Sequence, residues 1–292
     1  MQVTQLSEAV NRPRRIAVGE FDGVHLGHRA VIAGNDTVLT FEPHPMMVLR
    51  PQQAPMLLTE LEVKAELISQ LGVEELVVVP FDQHFAHQTP REFIDHVLVE
   101  RLGATHVSVG DNFRFGHLAS GTTELLTADE RFLARVVPLV QADGETVSST
   151  RIRGLVREGD VEQAARLLGD SFRIRGEVIG GDRRGRELGF PTANIAPRPL
   201  LACPANGVYA CRVGLHLAAV NVGVRPTFAD GQGLLVEAHL LDFSGDLYGQ
   251  QLTVEFVARL RGEERFDSVD ALIAQMRLDV ELVRKLLASS TA

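Results

Sequence analysis

The stretch Val18-Gly19-Glu20-Phe21-Asp22-Gly23-Val24-His25-Leu26-Gly27-His28 leaves one kind of structure and enters another. Ile16–Val18 ahead of it is apolar, as a buried strand requires. Gly19 and Gly23 mark a turn, because glycine reaches backbone conformations closed to other residues. His25 and His28 then follow at a spacing of three, which puts them on one face of a helical turn. A strand that runs through a glycine-rich turn into a helix is the opening unit of a parallel sheet wrapped by helices. The helix start presents N–H groups and a positive dipole end to an anion. Two imidazole donors there suit the charge that grows on a triphosphate under attack. Gly27 between them is expected to let an adenine ring approach the backbone. The competing reading is a plain turn whose histidines cap and pack. The G-x-F-D-G run ahead of HxGH favours the nucleotide.

Outward from this turn, the first half keeps alternating. Ile16–Val18, Val38–Phe41, Leu76–Val79, His106–Val109 and Val136–Val140 read as buried strands. Glu60–Leu71 and Pro90–Leu102 carry apolar residues at helical spacing between them. Ligands of such sheets sit beyond the carboxyl ends of the strands. Near residue 170 the pattern changes. Val161–Leu168 reads as a helix and Gly169-Asp170-Ser171 as its stop. Short alternating runs follow: Arg173–Ile179, Gly207–Val213, Leu217–Val222, Leu234–Leu240 and Gln251–Leu260. Turn residues separate them, which predicts an antiparallel barrel or sandwich. Ser268–Leu287 closes the chain as an amphipathic helix, with Ser268 as N-cap and Leu272, Met276, Val280, Val283 and Leu287 on one stripe. The expected fold is an α/β N-terminal domain over residues 1–170, Rossmann-like with a parallel sheet. An antiparallel β-barrel with a terminal helix follows over residues 171–292.

Other clusters carry chemistry. Ser148-Ser149-Thr150-Arg151-Ile152-Arg153 opens a helix with hydroxyls and guanidinium groups, the makings of an anion clamp. Gly110-Asp111-Asn112-Phe113-Arg114-Phe115-Gly116 follows a strand and mixes aromatic with polar groups, as an aromatic ligand needs. Phe41-Glu42-Pro43-His44-Pro45 also follows a strand, and His44 there reads equally as structural or functional. In the second half, Gly176–Gly189 interleaves Gly180, Gly181, Gly185 and Gly189 with Arg183, Arg184 and Arg186, a loop able to bend around phosphates. It lacks the G-K-[ST] ending of a P-loop. Phe190-Pro191-Thr192-Ala193-Asn194 comes next. Thr192 and Asn194 point the same way in an extended segment and offer hard oxygen ligands for Mg²⁺. Asn221–Phe228 reads as a polar turn. Glu237 lies inside an apolar strand, where a carboxylate is costly without a task or a partner.

Composition limits the partners. The net charge of −9 disfavours nucleic acid, which needs a basic face. A nucleotide needs only a local cluster of donors. The N-terminus MQVTQLSEAVNRPRR does not resemble a signal peptide. No apolar run approaches the ~20 residues of a membrane span. Cys203 and Cys211 form no CxxC motif and read as reduced structural thiols, so the expected location is the cytoplasm. Nothing in the sequence speaks to oligomeric state.

The ordered set GEFDGVHLGH, LTFEPHP, VGDNFRFG, SSTRIR, LGFPTAN, GVYA, NVGVRPTF, VEAHLLDF and FDSVDALIAQMRLD resembles the bacterial bifunctional riboflavin kinase/FAD synthetase family, from about Arg15 to Leu287. The resemblance implies two ATP-dependent reactions. The barrel would phosphorylate riboflavin to FMN. The N-terminal domain would adenylylate FMN to FAD (the FMN adenylyltransferase activity). His25 and His28 would hold the ATP phosphates, with Ser149, Thr150 and Arg153 completing the clamp. Gly19, Phe21, Asp22, Gly23 and Gly27 would contact the bound nucleotide. Asn112 and Phe113 would lie against nucleotide or flavin. Gly180, Gly185, Thr192 and Asn194 would bind Mg-ATP in the barrel. Glu237 would take the proton from the flavin hydroxyl.

Two departures stand out. Glu20 occupies a place where the family usually has a small or amide residue, and a carboxylate beside a triphosphate is repulsive. Only Ala30–Thr37 separates His28-Arg29 from the next strand, where a full helix is usual. A thinner outer layer and a more mobile segment are therefore expected, with activity retained. Both features feed an alternative reading, a riboflavin kinase whose transferase domain is impaired or altered in specificity. A non-catalytic flavin- or nucleotide-binding module is the other alternative.

Overall fold

The computed structural model describes residues 1–180, 188–225 and 233–288. Its contacts divide the chain into two compact units, Met1–Ser149 and Thr150–Ala292.

The first unit is built on a six-stranded parallel sheet. Its strands are β1 (Gln2–Gln5), β2 (Arg14–Val18), β3 (Thr37–Glu42), β4 (Glu75–Pro80), β5 (Ala104–Gly110) and β6 (Leu133–Val137). They lie in the order β1-β4-β3-β2-β5-β6. The helices are α1 (Leu26–Ile32), α2 (Pro45–Leu49), α3 (Leu61–Ser69), α4 (Gln83–Ala86), α5 (Pro90–Glu92) and α6 (Thr123–Thr127). α5 continues as π-helical turns over Phe93–Arg101. The strands are apolar on both faces because both are covered. Ile16, Val18, Leu39 and Val107 pack with Phe93, Ile94, Val97 and Leu98 on one side. Ala17, Val38, Leu76 and Val78 pack with Val31, Ile32 of α1 and Val63, Leu67, Ile68 of α3 on the other. At the amino ends of the strands, buried Arg14 pairs with Glu75 at 3.0 Å and donates to the carbonyls of Val10 and Leu102.

The sequence places the last strand of this sheet at 136–140. It runs instead from Leu133 to Val137, and a small hairpin, β7 (Gln141–Ala142) with β8 (Glu145–Thr146), takes up the chain before the next helix. β1 was not foreseen. Its sequence, QVTQ, is too polar to signal a strand, and pairing with β4 holds it.

The second unit begins within α7 (Ser149–Glu158), at Thr150, and continues into α8 (Val161–Leu168). Asp160 caps α8, and Gly169 ends it in the left-handed region. Arg259 ties both helices to the barrel, its Nη1 donating to Glu158 O and its backbone N–H to Glu162. The strands β9 (Phe172–Ile179), β10 (Ala193–Pro197), β11 (Gly207–Val213), β12 (His216–Arg225), β13 (Gly233–Leu240) and β14 (Gln251–Arg261) close into an antiparallel barrel, order β10-β13-β12-β11-β14-β9. Closure leaves no open sheet edge. Gly176 of β9 sits against the Ala196 carbonyl of β10, where a Cβ would collide. The terminal helix α9 (Val269–Ala288) lays Val280, Val283 and Leu287 against Ala210 and Ala219 on the outside of the barrel. Ser268 Oγ accepts from Ala271 N–H, the expected N-cap.

Candidate active sites

In the first unit the strand order turns around between β2 and β5. From β2 the chain proceeds to β3 and β4 on one side, and later to β5 and β6 on the other. Ligands of parallel sheets bind beyond the carboxyl ends of the strands at such a reversal. The Gly19–His28 turn leaves the carboxyl end of β2. The Asp111–Gly116 loop leaves the carboxyl end of β5. The two motifs therefore emerge side by side at the switch point, although some 80 residues separate them in sequence.

The Gly19–His28 turn is braced from behind. Asp22 is buried, and its carboxylate accepts from the Leu58 and Thr59 N–H groups at 2.9 and 3.0 Å. Thr59 Oγ1 accepts from Gly23 N–H at 3.0 Å, and Ser149 Oγ donates to the Asp22 carbonyl at 2.9 Å. Phe21 is buried at φ 51°, so a non-glycine residue carries the left-handed backbone there. Gly23 has φ 87°, as the sequence suggests. Gly19 does not need positive φ. A Cβ on it would stand 3.0 Å from the Phe21 ring, so ring packing demands this glycine. Gly27 likewise makes room within the protein: a Cβ would come 3.1 Å from His25 Cε1.

His25 is the N-cap of α1, its Nδ1 accepting from His28 N–H at 3.2 Å. That N–H is thus engaged internally, against the expectation that the helix start is wholly free for a ligand. An accepting Nδ1 puts the proton of neutral His25 on Nε2. The two rings stack, with centroids 3.5 Å apart and planes at 17°. Phe21 meets the His28 ring edge-on at 5.4 Å.

α1 is as short as the sequence indicates, but it is well held. Asn35 Nδ2 donates to the Val31 and Ile32 carbonyls at 3.0 and 3.1 Å. Arg135 of β6 donates to the carbonyls of Val31 and Ala33, both at 2.8 Å. Ser108 links them, accepting from Arg135 Nε and donating to Asn35 Oδ1. Side chains thus satisfy the terminal carbonyls that further helical turns would otherwise cover. The expectation of a looser segment rested on helix length alone.

Glu20 follows Gly19 directly. Its backbone carbonyl accepts from Lys64 Nζ at 2.8 Å and from Thr40 Oγ1 at 3.0 Å. Its carboxyl oxygen Oε2 is shut off from solvent and has no hydrogen-bond partner among the described residues. Burial pushes the Glu20 carboxyl up to about 8, with Lys64 opposing and Asp22 and Glu42 adding to the rise. Lys64, Thr40 and Thr59 were not singled out from the sequence, because their contacts join segments far apart in the chain.

On the β5 side, Asn112 is exposed and Phe113 half-buried. Phe113 stacks on Phe115 at 5.6 Å, which presents a flat aromatic edge. His44 caps α2 by accepting from Met46 N–H at 3.1 Å, a structural role. In α7, Ser149 and Arg153 stand one turn apart on the same face, and Thr150 is exposed.

In the barrel, the register lines up a polar row. Asn194 of β10 pairs with Glu237 of β13, and Glu237 pairs with Asn221 of β12. Asn221 Nδ2 donates to Glu237 Oε2 at 3.4 Å. Val236, Ala238 and Leu240 are buried inside the barrel, so Glu237 faces outward by alternation and is half-buried. The sequence placed this carboxylate inside an apolar strand, where it is costly without a task or a partner. It also suggested that Asn221 begins a turn, whereas β12 continues through Arg225. Asn194 is buried, and Thr192 lies just ahead of β10. The Phe190–Thr192 segment is tied to β13 through His239, whose Nδ1 meets Pro191 O at 2.9 Å and whose ring meets Phe190 edge-on. Gly180 lies just past β9 and is exposed. Gly181, Arg183, Arg184, Gly185, Arg186 and Pro226–Phe228 lie outside the described residues.

No group of three or more His, Cys, Asp or Glu side chains poised for a metal exists among the described residues. No helix among them is long and apolar enough to cross a membrane. A braced turn at the switch point of one unit and a polar row on the barrel of the other define a two-domain transferase that works on nucleotides.

The comparisons with known proteins agree. The FAD synthetase family matches residues 7–151, and the Riboflavin kinase family matches residues 168–287. A bifunctional riboflavin kinase/FMN adenylyltransferase from Listeria monocytogenes is 39% identical over 290 residues, covering 94% of this chain and 92% of its own. One of the same description from Escherichia coli (strain K12) is 37% identical, covering 95% and 94%. A solved structure described as a macrolide-efflux protein from Streptococcus pneumoniae superposes with TM-score 0.87 at 30% identity, over 97% of this chain and 99% of its own. The chain belongs to the bifunctional riboflavin kinase/FMN adenylyltransferase family. It is an ATP-dependent transferase with both activities.

Proposed function

We propose that the sheet's switch point performs the adenylyl transfer and the barrel's Asn194–Glu237–Asn221 row performs the phosphoryl transfer. The observation that carries the first assignment is the emergence of the Gly19–His28 turn and the Asn112–Phe113 loop side by side at the switch point. His25 and His28 donate to the phosphates of ATP, and Ser149, Thr150 and Arg153 add to the clamp. Asn112 and Phe113 lie against nucleotide or flavin. The FMN phosphate is already an anion at pH 7, so its attack on the α-phosphorus needs positioning and charge stabilisation rather than a base. Pyrophosphate leaves.

In the barrel the nucleophile is a neutral hydroxyl, which benefits from a general base. Glu237 takes the proton as riboflavin's terminal hydroxyl attacks the γ-phosphorus, and ADP leaves. Asn221 holds the carboxylate in place. Thr192 and Asn194 would be the oxygen donors for Mg²⁺, whose charge would neutralise the phosphates. A two-donor protein site fits an ion that takes its other oxygens from water and nucleotide. Gly180, exposed just past β9, serves the same nucleotide.

The functional division we propose lies at residue 170, with 1–170 serving adenylyl transfer and 171–292 serving phosphoryl transfer. Ser149, Thr150 and Arg153 then act with the first site although α7 and α8 are tied to the barrel. The enzyme works in the cytoplasm on small flavins and ATP, without nucleic acid or membrane partners. Supplying riboflavin, ATP and Mg²⁺ and following FMN and FAD over time tests the scheme. FMN should appear first and FAD after it. FAD formation that survives His28→Ala undiminished would overturn the first assignment.

A further inference from the structure

Two carboxyl groups and one ammonium act on the Glu20 carboxyl where the Gly19–His28 turn meets its neighbours. Glu20 and Asp22 belong to the turn, Glu42 ends the adjacent strand β3, and Lys64 reaches them from α3. Lys64 is 5% exposed, and its Nζ is committed to the Glu20 backbone carbonyl at 2.8 Å and to Thr40 Oγ1 at 3.5 Å. Asp22 is committed too, since its carboxylate accepts from the Leu58 and Thr59 N–H groups. Glu20 differs from both. Its Oε2 is sealed from solvent without a hydrogen-bond partner among the described residues, an environment that disfavours charge. The carboxyl ends of the strands must also accept a triphosphate. Three ionised carboxylates against one ammonium would leave a net charge of about −2 there, and like charges close together disfavour one another.

We propose that Glu20 gates ATP binding at the adenylyl-transfer site: as the neutral acid it admits the triphosphate, and as the carboxylate it repels it. The inference rests on that turn being where the ATP phosphates bind. The raised Glu20 titration near 8 supports it, with burial as the main cause and Asp22 and Glu42 reinforcing it against Lys64. The carboxylate that looked like a defect in the motif is then silent at neutral pH and becomes a brake in alkaline solution.

Two measurements test this. The first is the KM for ATP in FAD formation from supplied FMN, between pH 7 and pH 9. In the unmodified enzyme it should rise up to about tenfold, as the neutral fraction of a group titrating at about 8 falls from about nine-tenths to about one-tenth. Glu20→Gln should flatten that rise. An equal rise in the variant, or none in the unmodified enzyme, overturns the gate.

The second needs no kinetic competence of the variant. Titrating ATP at pH 8 in buffers of different ionisation enthalpy should show net proton uptake by the unmodified enzyme, about half a proton for a group half-ionised there. Glu20→Gln serves as the blank, because the barrel contributes equally to both. Proton release, or equal uptake by the two proteins, overturns the gate. If His28→Ala leaves FAD formation undiminished, the site assignment itself fails. A flat pH profile with an intact His28 effect defeats the gate alone.

Discussion

His25 accepts the backbone N–H of His28 on Nδ1 while the two imidazole rings stack 3.5 Å apart. One histidine therefore builds the helix start on which the other stands, with the proton of its neutral ring on Nε2. The two roles of His25 are separable by substitution. His25→Ala should remove the cap and the donor together, costing about 1 kcal/mol of stability as well as FAD formation. His25→Asn should restore the cap, because asparagine caps well, but not the rate. His28→Ala should lower FAD formation by about 10²–10³, the scale of one lost transition-state donor. FMN formation should be spared in all three. Thermal melting and separate assays of the two reactions check the pattern. A full rate in His25→Asn would leave the imidazole without a chemical role.

The short helix α1 depends on a side chain from elsewhere in the sheet. Arg135 covers the Val31 and Ala33 carbonyls, and Asn35 covers Val31 and Ile32. Arg135→Met keeps the aliphatic stem and removes the donors. It should cost about 1–2 kcal/mol, the penalty for carbonyls left without partners. Faster hydrogen exchange should be confined to α1 amides. FAD formation should fall while FMN formation holds, because His25 and His28 ride on this helix and the barrel does not depend on it.

At the opposite end of the strands, Arg14 and Glu75 make a buried pair. Burial alone would push the Glu75 carboxyl up from 4.5, but the hydrogen bond and charge of Arg14, helped by Thr4 and Arg12, outweigh it and hold the group below that value. The sign follows from linkage. A depressed folded-state value stabilises the protein above the unfolded-state value, and this contribution is lost as pH falls through the folded-state value. Acid unfolding of the first unit should therefore shift to higher pH in Glu75→Gln. At pH 7 the variant should lose about 3–5 kcal/mol, because the Arg14 charge is left buried without its carboxylate. Chemical denaturation at pH 7 and at pH 4 should show the gap between the two proteins narrowing in acid.

Much of the fold was legible where local signals coincided. α8 and β11 have the ends read from the sequence, since Gly169 adopts the αL stop and apolar alternation spans Gly207–Val213. β1 and β10 were missed because long-range pairing holds them, and neither QVTQ nor the segment after Pro191 advertises a strand. The site was legible as residue types but not as roles. Asp22 and Gly27 read as ligand contacts, yet Asp22 braces Leu58 and Thr59, and Gly27 clears space for the His25 ring. Such tasks depend on which distant residue arrives opposite, as with Lys64 on the Glu20 carbonyl. The outward aspect of Glu237 was within reach, because alternation with Val236 and Ala238 requires it.

That outward aspect makes Glu237 the sharpest place to separate the two activities. It stands in register between Asn194 and Asn221, on the face opposite the barrel core, so its removal leaves Val236 and Ala238 packed. Glu237→Gln keeps the shape and the contact to Asn221 but cannot take a proton. FMN formation should fall by about 10²–10⁴, the usual contribution of a positioned base. The KM for riboflavin should change little, since the loss falls on the transition state rather than on binding. FAD formation from supplied FMN should persist, because no step there calls on this carboxylate. Asn221→Ala should give a smaller loss, as the carboxylate remains but is no longer held at one oxygen. Comparing the two reactions at matched ATP in both variants checks the assignment. Equal loss of both activities in Glu237→Gln would mean that the barrel carboxylate serves the whole chain rather than one reaction.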